Sequence, residues 1–153
     1  MLDILDTVHV YEADLDLYCR AGLEPGHSYT VESHLRDCQG CRKQLSMRIK
    51  HQLIFSPGEW MKLNQQHKRS ERRFTTGGDA IFQELDPLSF DRQKVRIVDV
   101  SKNGLGILAP KMALPGSIAQ IRMNDTVELG EVRHCSMFGG SSYRIGLRLY
   151  GAL

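Results

Sequence analysis

The stretch Asp99-Val100-Ser101-Lys102-Asn103-Gly104-Leu105-Gly106 lies between two apolar segments that have strand character. Val95, Ile97 and Asp99 occupy alternate positions before it, and Leu105 to Ala109 is an apolar run after it. Asn and Gly accept the positive φ angles that a two-residue turn requires, so we expect a tight hairpin across Asn103-Gly104. The alternation of a strand then places Asp99 and Ser101, two residues apart, on one face.

The side chains of Asp99 and Ser101 can serve two purposes. A carboxylate and a hydroxyl presented together can exchange hydrogen bonds with a planar polar ligand such as the edge of a nucleobase. The same groups often satisfy their own backbone in an Asx or Ser turn, which is their usual role near turns. This pattern alone leaves both interpretations open.

A cluster of basic residues precedes the first segment with strand character, and it contains Lys68, Arg69, Arg72 and Arg73. Arg69 and Arg73 are four positions apart, and each guanidinium is a planar fork that binds phosphate in two places or stacks on a base. A solvated run of charge is the usual explanation of such a cluster. The cluster becomes informative only together with the later Asp-x-Ser-x-x-Gly.

The ordered pair of motifs, Arg69-x-x-x-Arg73 and then Asp99-x-Ser101-x-x-Gly104, resembles the PilZ domain, a bacterial receptor for cyclic di-GMP. The resemblance extends from Lys68 to near the C-terminus. It implies a six-stranded antiparallel β-barrel in which the arginine segment folds over the dinucleotide and the second motif lines a guanine pocket. The ligand-binding residues that it implies are Lys68, Arg69, Arg72, Arg73, Asp99, Ser101 and Gly104.

Strand signals recur at short spacing from Ala80 onward, and turn residues separate them. The predicted strands are Ala80 to Leu85, Lys94 to Val100, Leu105 to Leu108, Ser117 to Met123, Thr126 to Cys135 and Tyr143 to Leu149. Such a series is typical of an all-β unit, and closure into a barrel removes its exposed edges. We expect strand packing and exposure to explain His134 and Cys135, and the N-terminal helices to cover one mouth of the barrel.

The first third of the chain has helical periodicity. We expect a first helix after His9 that stops at Gly22 and Pro25-Gly26. A second helix is expected from Ser28 to Leu35, with Ser28 capping its first turn. A third is expected from Cys41 to about Phe55, before Ser-Pro-Gly breaks it.

The spacing His34-x3-Cys38-x2-Cys41 gathers three metal ligands in eight residues. His34 and Cys38 share a face at a helix C-terminus, and the Cys-x-x-Cys spacing turns the second thiolate toward the same point. We interpret this as a zinc site rather than a redox site, because a redox Cys-x-x-Cys usually opens a helix after a strand. A structural site needs a fourth ligand, and the candidates are His9, Cys19 and His27.

The longer pattern His9-x24-His34-x3-Cys38-x2-Cys41, with Tyr-x3-Gly-Leu between, resembles the zinc-binding anti-sigma-factor fold. The resemblance selects His9 as the fourth ligand, which leaves Cys19 as a small buried residue and His27 exposed. With four protein ligands no position stays open for water, so we expect a structural site. Zinc would hold together three short helices that cannot bury enough apolar surface by themselves.

The composition of the 153 residues excludes several classes of protein. A hydrophobic share of 41% and a net charge of +2 do not indicate disorder, and basic residues in local clusters do not suit a duplex-DNA-binding face. No apolar run is long enough for a membrane span, and acidic residues follow Met1 where a signal peptide is basic, so we expect a cytoplasmic protein.

The predicted fold class is α+β with two domains: a helical zinc module (1–55), a linker (56–68) and a PilZ-like six-stranded antiparallel barrel (69–153).

Three hypotheses of function follow from these patterns. The first is a signalling receptor, in which cyclic di-GMP on the barrel changes how the zinc module meets a protein partner. The second is an anti-sigma-type protein-binding module, with a sigma factor as candidate partner and the barrel as a scaffold. The third, a thiol oxidoreductase using Cys38 and Cys41, is the weakest because no nucleophile, base and orienting group occur together. We therefore expect no enzyme.

Overall fold

The computed structural model describes residues 9–50, 75–123 and 126–150. In these ranges three helices precede six strands, which confirms the predicted α+β arrangement. The elements are α1 (Glu12–Cys19), α2 (Pro25–Asp37), α3 (Gln39–Lys50), β1 (Asp79–Asp86), β2 (Gln93–Val100), β3 (Gly104–Ala109), β4 (Ile118–Met123), β5 (Thr126–Phe138) and β6 (Ser142–Leu149). The predicted linker 56–68 and the domain boundaries beside it lie outside the described residues.

The six strands form a closed antiparallel barrel, as predicted. Their order around the barrel is β1-β2-β3-β6-β5-β4. Alternate side chains of each strand point inward, so the interior is filled by branched and aromatic residues. The inward residues without solvent exposure include Phe82, Ile97, Ile107, Ile121, Val132 and Ile145. No helix of the described residues is both long and apolar enough to cross a membrane.

The turn between β2 and β3 differs from the prediction by one residue. Ser101 N donates to Gly104 O at 3.1 Å, which places Lys102 and Asn103 at the centre of the turn. Gly104 does not adopt a positive φ. A Cβ atom there would lie 2.9 Å from Leu147 O, so glycine is needed because β6 approaches closely. The expected reason for this glycine was therefore wrong.

Two helix boundaries also differ from the prediction. α2 begins at Pro25, whose missing N–H costs nothing at the first helical position, so Ser28 does not cap the helix. Ser28 N instead donates to Glu24 O at 2.8 Å, inside the first turn. α3 begins at Gln39, before Cys41. The predicted continuation of α3 to Phe55 lies outside the described residues.

The three helices pack against the part of the barrel wall that β1, β4 and β5 form. Their apolar residues form one buried cluster with Leu85, Ile118 and Leu129, which belong to β1, β4 and β5. The helical members of this cluster are Leu15, Tyr18, Cys19, Val31, Leu35, Cys41, Leu45 and Ile49. On β4 these contacts come from Ile118 and Gln120, which alternate with the inward residues Ala119 and Ile121. Alternate residues of a strand point to opposite faces, so the helices lie on the outer face of these strands, and the expectation that they cover a barrel mouth was wrong. Gln120 Nε2 of β4 also donates to Cys19 O at 2.6 Å.

Candidate metal and ligand sites

The side chains of His9, His34, Cys38 and Cys41 meet at one point, and their ligand atoms all lie within 4.8 Å of one another. His9 Nδ1 lies 3.5 Å from Cys38 Sγ and 3.3 Å from Cys41 Sγ. Ligands that bind a tetrahedral metal at about 2.0–2.3 Å are roughly 3.3–3.8 Å apart. This His2Cys2 group can therefore hold a metal ion.

The connection between α2 and α3 positions three of the four side chains. His34 lies in the last turn of α2, and Cys38 caps that helix, with Cys38 N donating to His34 O at 2.9 Å. Cys41 lies in the first turn of α3, and its backbone N–H donates to Cys38 Sγ at 3.4 Å. His9, just before α1, completes the group, and its ring meets the ring of His34 edge to face.

The surroundings of the group fit a bound cation. His34 Nε2 is buried and has no hydrogen-bond partner among the described residues. A buried nitrogen of this kind normally has a partner, and a metal ion would supply one. Burial raises the pKa of the Cys41 thiol, while a hydrogen bond from the backbone of Val10 acts in the opposite direction.

The two other candidates for the fourth ligand lie elsewhere. Cys19 is buried in the cluster between helices and barrel, and this burial raises its pKa to about 12. His27 is exposed, and its Nε2 lies 3.3 Å from Asp14 Oδ2. Among these candidates, only His9 joins the three clustered ligands.

The second motif lies on a pocket at the barrel surface. Asp99, Ser101 and Gly104 line one side of this pocket, which has a volume of about 250 Å³. The carboxylate of Asp99 accepts a hydrogen bond from Arg144 Nη2 at 3.0 Å. The structure therefore brings the three motif residues together at one cavity.

The opposite side of the pocket consists of residues that the sequence analysis did not assign to it. They are Arg133 and His134 of β5 and Arg144, Gly146 and Leu147 of β6. His134 is exposed on its strand, as predicted, but it also lies against Gly146, where a Cβ atom would be 2.2 Å from His134 Nε2. A glycine inside a strand indicates such a close approach. In the sequence, Gly146 is the residue that indicates this close approach of His134.

The first motif and the basic residues beside it lie outside the described residues, which begin again at Thr75. The residues concerned are Lys68, Arg69, Arg72 and Arg73. The chain that follows this motif enters the barrel beside the pocket. Ile97 N donates to Gly78 O at 2.8 Å, and Ile97 is two residues before Asp99.

The fold and sites define a class of protein: an α+β protein in which a helical module with a His2Cys2 group packs on a closed six-stranded barrel. No protein-family model matches the chain. A search of curated proteins also finds no match.

Proposed function

We propose that this protein is a cytoplasmic cyclic di-GMP receptor of the PilZ type, with a zinc-stabilised helical module docked on its barrel. The observation that supports it best is the convergence at one pocket of Asp99, Ser101 and Gly104. The described segment that follows the arginine motif in sequence enters the barrel next to that pocket, where Gly78 is hydrogen-bonded to Ile97. We propose ligand binding rather than catalysis as the role of this site.

The arginine motif is close in sequence to the point where the chain enters the barrel. Arg73 precedes Gly77 by four residues, and an extended chain spans up to about 3.5 Å per residue, so the reach is about 14 Å. Arg69 precedes it by four more. We propose that both guanidinium groups bind the phosphates of a dinucleotide whose base contacts Asp99.

The chemistry of the pocket suits a guanine base. An ionised carboxylate accepts hydrogen bonds only, and guanine presents two adjacent N–H donors on one edge. The Asp99 side chain is 65% exposed, so it is accessible to a ligand. The hydroxyl of Ser101 can donate or accept beside it.

Calorimetric titration of the zinc-loaded protein with cyclic di-GMP tests this proposal. A charge-assisted hydrogen bond contributes roughly 1.5–3 kcal/mol, so Arg73→Ala should bind about one to two orders of magnitude more weakly. Removal of Arg69 as well should abolish binding, and Arg73→Lys should bind poorly because a point charge replaces a fork. Lys111→Ala, which removes an exposed cation paired with Asp91, is the control.

Two results of this titration would contradict the receptor proposal. If the wild-type protein shows no binding up to about 100 μM ligand, or if Arg73→Ala binds as well as the wild type, the barrel is not a receptor of this kind.

We propose zinc as the metal because two thiolates and two imidazoles are the ligand set of structural zinc sites. Elemental analysis of the purified protein should give about one zinc per chain. Cys38→Ser should lose the metal, and Cys135→Ser on β5 should retain it. Full retention in Cys38→Ser, or loss with Cys19→Ser but not with His9→Ala, would overturn this ligand set.

A second candidate function is an anti-sigma-type module that binds a protein partner, with the barrel as a scaffold. Large apolar side chains on the helical module favour it, because Tyr11, Tyr29 and Met47 are 78%, 73% and 54% exposed. The other apolar face of the helices is buried against the barrel. Binding of a sigma factor that is lost on zinc removal and weakened by Tyr29→Ala would support this function, whereas no binding would exclude that partner.

A further inference from the structure

One row of residues crosses four neighbouring strands at the pocket. Asp99 of β2 pairs with Gly106 of β3, Gly106 pairs with Gly146 of β6, and Gly146 pairs with His134 of β5. Residues paired across strands present their side chains to the same face of a sheet. The two glycines therefore form a low floor between a carboxylate and an imidazole ring.

Arg144 reaches across this floor to Asp99. It lies two residues before Gly146 on β6, hence on the same face of the strand, and its Nη2 donates to Asp99 Oδ2 at 3.0 Å. A Cβ atom at Gly106 would lie 2.9 Å from Asp99 Cβ and 3.7 Å from Arg144 Nη2. The space that Gly106 leaves free is therefore needed by the side chain of Asp99, which forms this ion pair, whereas Arg144 would be at an ordinary contact distance.

Stability does not explain the pair of Arg144 and Asp99. Their side chains are 41% and 65% exposed, and exposed ion pairs contribute little to folding because solvent screens them. The pair does hold a donor directly beside an acceptor on the wall of a cavity. This arrangement can form hydrogen bonds with an acceptor and a donor that lie side by side on the edge of a planar ligand.

We infer that Arg144 is a specificity-determining residue, and that the Arg144–Asp99 pair selects guanine over adenine. This inference rests on the proposed function. The guanidinium donates to guanine O6 while the carboxylate accepts from N1–H and the 2-amino group. Adenine in the same orientation places its amino group against the guanidinium and its unprotonated N1 against the carboxylate. Donor then meets donor and acceptor meets acceptor, which disfavours adenine.

Titrations with cyclic di-GMP and with cyclic di-AMP test this inference on the zinc-loaded full chain. Arg144→Gln should weaken cyclic di-GMP binding about tenfold or more and should reduce the preference over cyclic di-AMP. Arg133→Gln is the matched control, because Arg133 lines the same pocket but pairs with Glu131 at 3.6 Å. It should change the affinity for both nucleotides by a similar factor.

A double-mutant cycle with Asp99→Asn separates action through Asp99 from an independent charge effect. If the two residues act as a pair, Arg144→Gln should add little to the loss of affinity that Asp99→Asn already causes. Unchanged base preference in Arg144→Gln, or additive losses, would overturn the inference while the receptor function stands. Absence of cyclic di-GMP binding by the wild type would overturn both. Thermal unfolding of each variant controls for folding.

Discussion

Gln83 Nε2 of β1 donates a hydrogen bond to the hydroxyl of Tyr18 of α1 at 2.9 Å, and this bond joins the barrel to the helical module. Tyr18 in turn donates to Glu32 Oε2 of α2 at 2.8 Å, and Glu32 also accepts from Arg92. Burial raises the pKa of Tyr18, so the phenol stays protonated and keeps donating. Buried polar networks of this kind are costly to leave partly satisfied.

The first prediction concerns this network. Tyr18→Phe removes a hydroxyl that is both donor and acceptor and leaves Gln83 and Glu32 short of a partner. We expect the free energy of unfolding to fall by roughly 1–3 kcal/mol in urea titrations. Tyr11→Phe is the control, because Tyr11 is 78% exposed and its hydroxyl change should have little effect. Equal stability of the two variants would contradict the structural role of the network.

The second prediction concerns alkaline pH. Burial raises the pKa of Cys19 from 9.0 to about 12, so above pH 9 the folded state retains a proton that the unfolded state loses. Tyr18, with its raised pKa, acts in the same direction above pH 10.0. Stability should be unaffected by these groups below pH 9 and should fall as the pH rises beyond it.

Thermal unfolding between pH 8 and pH 11 checks the alkaline effect. Cys19→Ala should show a shallower loss of stability with rising pH than the wild type. An identical slope in both proteins would show that Cys19 does not carry the effect.

The third prediction compares a glycine at which a Cβ atom would clash with a neighbouring strand and a glycine at which it would contact no other atom. Gly104→Ala should destabilise the protein by about 1–3 kcal/mol, because the new Cβ meets backbone oxygen of Leu147 rather than a movable side chain. Gly26→Ala, in the first turn of α2 with no atom within 4 Å of a new Cβ, should be neutral or stabilising by up to about 1 kcal/mol. Urea unfolding of both variants provides the measurement, and a neutral Gly104→Ala would contradict the close approach of β6.

The fourth prediction concerns metal removal. A strong chelator should lower the thermal unfolding temperature of the wild type, because metal binding to the folded His2Cys2 group stabilises the folded state. Cys38→Ser should start with lower stability and should not respond to the chelator. A wild-type protein whose unfolding temperature does not change after verified metal loss would contradict a structural role.

Much of the fold was predictable because its signals are local. The alternation of Val95 and Ile97 with polar neighbours reflects a strand with one buried face, and both residues are buried in the barrel. His34 and Cys38 were predictable as neighbours because a helix places residues four apart on one face. The position of His9 beside them came from the spacing of a resembling family, since no local rule links residues so distant in sequence.

The sequence by itself determined the element types, the all-β character of the second half and the spacing of three metal ligands, because helix and strand periods are properties of short segments. Only the tertiary structure decided which side chains share the pocket. Register shifts between Ile97 and Asp99 and between Val132 and His134 bring both Asp99 and His134 into the row of Gly106 and Gly146. Such irregularities re-aim side chains and depend on pairing across the closed barrel, so periodicity along one strand does not reveal them.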